Sequence, residues 1–229
     1  MDDRLTRAAP AAASGPEPAE PGAAEPAEPA AAEPAEPAVD SVPAHVLAVA
    51  LARRPALGRV RLVCIDGPAG SGKTTLAAAV AAVAAARGVP CVVLHLDDLY
   101  EGWSGLEGSL WPRLAAQVLE PLRRGRPGRY QRYDWVRGAF DDWVDVPVPE
   151  LLVLEGCGSA RRSAAAVASL LVWVEAPSAL RLERGLDRDG DEARPQWLQW
   201  IRDEAEHFVR ERTRERADIA LDGFGRMTP

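Results

Sequence analysis

The residues with the most chemistry to offer stand together in Gly67-Pro68-Ala69-Gly70-Ser71-Gly72-Lys73-Thr74-Thr75. Its glycines open backbone angles closed to other residues, so successive N–H groups can curl around phosphate oxygens. An apolar run, Val60-Arg61-Leu62-Val63-Cys64-Ile65, precedes it and an alanine-rich segment follows. That is strand, glycine-rich turn and helix, the context in which such a loop cradles phosphates. The start of the helix adds unsatisfied N–H groups and the positive end of its dipole. Lys73 reaches the outer phosphates and the Thr74 hydroxyl reaches Mg²⁺. Lys73 is also the only lysine; every other member of the 27 basic residues is arginine. The stretch therefore implies binding of a nucleoside triphosphate with Mg²⁺ through Gly67, Ala69, Gly70, Ser71, Gly72, Lys73, Thr74 and Thr75.

Four further groups carry chemical potential. Asp97-Asp98, followed by Tyr100, offers two carboxylates for a general base or a contact near the metal, or a solvated helix cap. Tyr133-Asp134-Trp135 lies in an aromatic stretch, 130–143, that serves either as hairpin and core filler or as flat pocket walls. Glu155 ends the run Leu151-Leu152-Val153-Leu154, where a carboxylate can hold Mg²⁺ through water. Arg181, Arg184 and Arg188 share one helical face. That face is either a salt-bridged surface or a clamp on a transferred phosphoryl group.

The elements that must position these residues alternate between strand and helix. A short amphipathic helix is expected from Val42 to Arg53, and strands at 60–65, 91–96, 151–154, 170–174 and 219–221. Helices are expected at about 73–87, 110–124, 177–187 and 196–213. The run 91–96 has the continuous apolar character of a strand buried on both faces. This alternation predicts a three-layer α/β/α sandwich of the P-loop NTPase type, with a mainly parallel five-stranded sheet. Ligands then lie at the carboxyl ends of the strands, where Asp97, Glu155 and the glycine-rich loop fall.

Residues 1–41 differ in kind. Ala, Pro and Glu dominate 8–38, with AEPAEPA-like repeats and no aromatics, which predicts a disordered acidic tail ahead of one domain at 42–229. The tail carries nine acidic residues against Arg4 and Arg7, which equals the −7 of the whole chain. The rest is neutral, so nothing is left over to neutralise a nucleic-acid backbone, and the expected partner is a small-molecule substrate. No apolar run reaches the ~18 residues of a membrane span. No secretory signal is expected, because the first charges precede no apolar core. Cys64, Cys91 and Cys157 lack metal-like spacing and read as reduced, buried thiols of a cytoplasmic protein.

Taken in order, GPAGSGKTT, Asp97-x-x-Tyr100, Tyr133-Asp134-Trp135 and Glu155-Gly156 resemble the uridine kinase family of P-loop nucleoside kinases, which includes phosphoribulokinase-like members. The resemblance covers about 60–222, and the arginine face resembles that family's mobile lid, here about 181–195. It implies phosphoryl transfer from ATP to a hydroxyl of a nucleoside, with Asp97 as the base. It further implies Glu155 and Thr74 around Mg²⁺, and Asp98, Tyr100, Tyr133 and Arg181 toward the acceptor. Lys73, Arg184 and Arg188 would act on the phosphates. The chain departs from the family in Glu101-Gly102-Trp103-Ser104-Gly105-Leu106-Glu107-Gly108, which has no ribose-holding Asp, and in Val136-Arg137, where a base-recognising His is absent. A kinase for another hydroxyl metabolite, a nucleotide-dependent regulatory ATPase and a tethered interaction protein are the other readings. If the tail is only a tether, a chain beginning at residue 42 keeps the melting temperature and kinase activity of the full chain. A large loss of either shows that the tail packs on the domain.

Overall fold

The computed structural model describes residues 41–228, so the expected tail lies outside the described residues except for Ser41. The carbonyl of Ser41 accepts the His45 N–H at 2.9 Å and opens α1, Val42–Ala52. The chain then runs β1 Arg61–Asp66, α2 Lys73–Ala86, β2 Cys91–His95, α3 Leu110–Leu114 and α4 Glu120–Arg123. A hairpin follows, β3 Gly128–Asp134 and β4 Ala139–Val146, and then β5 Leu151–Glu155 and β6 Leu170–Glu175. The last elements are α5 Ser178–Asp189, α6 Arg194–Glu211, α7 Thr213–Arg216 and β7 Ile219–Asp222.

Five strands form one parallel sheet in the order β2-β5-β1-β6-β7. Alternate residues of a strand point to opposite faces, and both faces are covered. Leu62, Cys64, Leu152 and Leu154 pack into one core, while Val63, Ile65, Leu151 and Val153 pack into the other. The three-layer α/β/α sandwich with a parallel five-stranded sheet is therefore the observed architecture. No described helix is long and apolar enough to cross a membrane.

Two expectations change, and one open alternative, the hairpin, is decided. The apolar run at β2 is not buried on both faces. It is the edge strand, paired only with β5, and most of its residues are half-buried. The expected helix at 110–124 is interrupted by a π-helical turn, Ala115–Leu119, between α3 and α4. Pro121 supplies the physical reason, because it has no N–H to return to the carbonyl of Gln117. The aromatic stretch at 130–143 forms an antiparallel hairpin, whose turn is closed by Asp134 Oδ1 accepting the N–H groups of Val136 and Arg137. Of the cysteines, Cys64 and Cys157 are buried and Cys91 is half-buried. Burial pushes the Cys91 thiol up to about 11 and raises the Cys64 and Cys157 thiols as well.

Helices α5 and α6 meet at Gly185, where an added Cβ would fall 2.4 Å from the Trp197 ring. Gly185→Ala is therefore an overpacking change, expected to cost about 1–3 kcal/mol and to lower the melting temperature by several degrees. An unchanged melting temperature would show that Trp197 is free to move away.

Candidate active site

The loop after β1 owes its shape to glycines that face backbone at close range. Gly67 has φ 141°, and a Cβ there would lie 2.0 Å from the Val174 carbonyl oxygen. Asp66, fully buried at the end of β1, accepts the N–H of Gly67 at 2.7 Å, of Gly158 at 2.9 Å and of Ala160 at 2.8 Å. Burial raises its pKa, and these three N–H groups partly offset the rise. Lys73 is buried, and its ammonium donates to the Pro68 carbonyl at 2.9 Å, across the loop it follows. Burial works against its charge, but the acidic groups of Cys157, Glu155, Glu204 and Asp66 outweigh it and raise the pKa.

Strand register brings the oxygen ligands to the same edge. Glu155 pairs with Ile65 on one side and His95 on the other. Its Oε1 accepts the Thr74 hydroxyl at 3.1 Å and lies 2.6 Å from His95 Nδ1. The hydrogen bond to Glu155 raises the pKa of His95, and burial opposes the rise. A hydroxyl and a carboxylate in contact beside a phosphate-binding loop fit Mg²⁺, a hard cation that takes oxygen ligands and shares its sphere with phosphates and water. Among the described residues no cluster of three or more His, Cys, Asp or Glu would enclose a metal alone.

Asp97 sits in the 3₁₀ turn after β2, accessible from the cleft yet surrounded by protein on several sides. Desolvation raises its pKa first, and the charge of Glu155 adds to this, against the pull of Lys73, Arg188 and His95. The neighbouring Asp98 accepts the Tyr130 hydroxyl at 2.8 Å. Tyr100 is buried, donates to the Cys157 carbonyl at 2.8 Å and meets Trp200 edge-on, with centroids 4.9 Å apart.

The arginine face divides by burial. Arg184 is exposed and donates to the Gly70 carbonyl at 3.1 Å. Arg188 is also exposed and pairs with Asp189 at 2.7 Å. Arg181 instead lies under the loop. Its NH1 group bonds Glu204 at 2.7 Å and the Ala69 carbonyl at 3.1 Å. The other Glu204 oxygen accepts the Ala69 N–H at 2.8 Å and the Trp200 indole N–H at 3.1 Å. Both polar groups of the Ala69 peptide are thus held by one buried ion pair.

The loop, Asp97, Asp98, Tyr100, Glu155, Arg184 and Arg188 open onto a single cleft of about 1350 Å³. No family model and no curated protein matches the sequence. Solved structures do match. One described as a possible uridine kinase from Bacillus stearothermophilus superposes with a TM-score of 0.60 at 20% identity, over 79% of this chain and 97% of that one. A D-glycerate 3-kinase from Cryptococcus neoformans gives a TM-score of 0.51 at 12% identity, over 82% of this chain and 98% of that one. The fold is that of the uridine kinase-like P-loop kinases.

Within this kinase fold, two sequence expectations move. Arg181 does not line the cleft, because Glu204 and Ala69 hold its guanidinium beneath the loop. Tyr133 does not line it either; its ring packs behind Trp135, centroid to centroid 5.5 Å, and against Phe140. Sequence reasoning missed Asp66, His95, Glu204 and the tryptophans Trp103, Trp197 and Trp200. It also missed the far end of the cleft, lined by Val42, Pro43, Leu76 and Phe224. The run of apolar residues ending in Asp66, just ahead of the loop, was the one available signal for that carboxylate. Removing one partner of a buried pair leaves the other charge unpaired, so Glu204→Ala is expected to cost about 3–5 kcal/mol. The exposed Arg184→Ala should stay within about 0.5 kcal/mol. Chemical denaturation of both variants checks the contrast, and equal effects would remove the structural role given to Glu204.

Proposed function

We propose that this chain transfers the γ-phosphoryl group of Mg²⁺-bound ATP to a hydroxyl of a small molecule, with a nucleoside-like compound as acceptor. The observation that carries the reading is the position of Asp97. Asp97 lines the same cleft as Lys73, the Thr74–Glu155 pair and an aromatic wall. A hydrolytic switch needs no such wall beside its base. The uridine kinase-like neighbour and the resemblance of the motifs support a nucleoside. The glycerate kinase neighbour shows that the fold also serves other hydroxyl compounds.

Thr74 and Glu155 would hold Mg²⁺, which supplies charge neutralisation on the phosphates. Lys73 and the N–H groups at the start of α2 hold the phosphate oxygens. Arg184 and Arg188 reach them from α5 once their present partners, the Gly70 carbonyl and Asp189, exchange for phosphate. Asp97 accepts the proton of the acceptor hydroxyl as its oxygen bonds to the γ-phosphorus and the bond to the ADP oxygen breaks. A raised pKa makes Asp97 a stronger base than an ordinary aspartate, and the cost falls only at low pH.

Asp97→Asn should lower kcat by about 10²-fold or more while the affinity for ATP stays within a factor of about three. In the wild-type protein kcat/KM should fall as pH falls through a midpoint above the ordinary aspartate value, because protonated Asp97 cannot accept a proton. Steady-state ADP release against pH measures both. Activity in Asp97→Asn within a few-fold of wild type removes Asp97 as the base.

A further inference from the structure

The 101–108 segment brings Trp103 to the cleft but has little regular structure of its own. A 3₁₀ turn spans Gly102–Ser104, and glycines stand at 102, 105 and 108. Gly102 has φ 70°, and a Cβ on Gly105 would fall 2.3 Å from the Glu101 nitrogen, so the backbone folds closely on itself. A compact loop of this kind is held by what its side chains are tied to. The Ser109 hydroxyl closes it by donating to Glu101 at 2.9 Å, and Leu106 is buried in the core. The remaining tie is Glu107.

Glu107 reaches across to α6. One of its oxygens meets His207 Nδ1 and the Arg210 guanidinium, and the other lies 3.6 Å from Arg161. His207 is fully buried, and a Cβ on Gly158 would lie 3.2 Å from its Nε2, which has no partner. Among the described residues Glu107 is thus the one hydrogen-bond partner of the imidazole. An ion pair between two exposed, mobile chains fixes little. A carboxylate bound to a ring that packing has already locked is fixed with the ring.

The same face of α6 serves the donor side through other residues. Trp200, Glu204, His207 and Glu211 are all buried along it. Glu204, three residues before His207, holds the Ala69 N–H and Arg181, and Glu211 accepts the Arg162 N–H at 2.7 Å. Phosphate loop and 101–108 segment are therefore fastened to one helix by different side chains.

We propose that Glu107 is a positioning residue for the acceptor. Through His207 it sets the 101–108 segment on α6, and with it the Trp103 ring that lines the cleft with Asp97. The inference rests on the phosphotransfer reading, because it takes this end of the cleft as the acceptor's. Without the tie the segment loosens and Trp103 no longer holds one position, while the phosphate loop keeps its own partners.

The test uses the full chain with MgATP and whichever of uridine, cytidine, adenosine and guanosine gives acceptor-dependent ADP release. In Glu107→Ala, kcat/KM for that nucleoside should fall about 10- to 100-fold. The loss should lie in KM with kcat little changed, and MgATP affinity by calorimetry should be unchanged. Glu107→Gln, which can still accept a hydrogen bond from the imidazole, should restore part of the loss. The effect should be non-additive with that of Trp103→Ala, because both act on the same wall. Amide hydrogen exchange should quicken across 101–109 and stay as in wild type across 67–75. An unchanged acceptor KM, or effects of Glu107→Ala and Trp103→Ala that simply add, overturns the proposal. An equal loss of MgATP affinity also overturns it, by showing a pair that only stabilises the fold. Absence of ADP release with all four nucleosides would instead remove the nucleoside reading of the function, and this proposal with it.

Discussion

The Asp66 carboxylate, buried at the end of the central strand, ties together two loops that would otherwise be independent. One oxygen accepts the first N–H of the phosphate-binding loop and that of Gly158, and the other accepts that of Ala160. The loop after β1 and the loop after β5 are thereby fixed to each other, and Glu155 is fixed to Thr74. A buried carboxylate is tolerated only because its oxygens are satisfied. The arrangement exists only when β1 and β5 pair in the observed register, Ile65 beside Glu155. A one-residue slip would turn Glu155 to the other face of the sheet.

A second tie reaches the same loop from below. Arg181 and Glu204 bind both the carbonyl and the N–H of Ala69, and Glu204 also holds the indole of Trp200. Helices α5 and α6 therefore position the phosphate cradle and the aromatic wall through one buried pair. Arg184 and Arg188 on the same helix stay exposed, with partners that phosphate oxygens can replace. Three arginines at helical spacing thus sit in two environments. The divide is depth: a guanidinium taken out of water must keep a full set of partners, while one at the rim is free to exchange them.

Most of the architecture was legible in the sequence. The alternation of apolar strands and helices gave five strands in the sheet, and each lies within a residue or two of where the pattern put it. The errors have local causes. β2 reads as a buried strand because apolar composition does not say whether a second neighbour is present. The helix at 110–124 reads as continuous because the effect of Pro121 depends on how the chain absorbs a missing hydrogen bond. The hairpin at 128–146 carries aromatics on an irregular register, with a shift between Gln131 and Tyr133, so no clean period of two appears.

For the candidate site, the sequence by itself marked the glycine-rich loop. Gly67–Thr75 is contiguous, and its phosphate chemistry depends on backbone angles and residue types that neighbours in sequence supply. Asp97 and Glu155 were also marked, because each ends a strand. Only the tertiary structure brought the aromatic wall of the cleft together. Trp103, Trp135, Trp197 and Trp200 come from a loop, a hairpin turn and a helix nearly a hundred residues apart, and their spacing in sequence says nothing about a shared corner. It also decided that Arg181 faces Glu204 while Arg184 faces the cleft. Helical spacing fixes which residues share a face, but the packing of that face fixes which of them reach water.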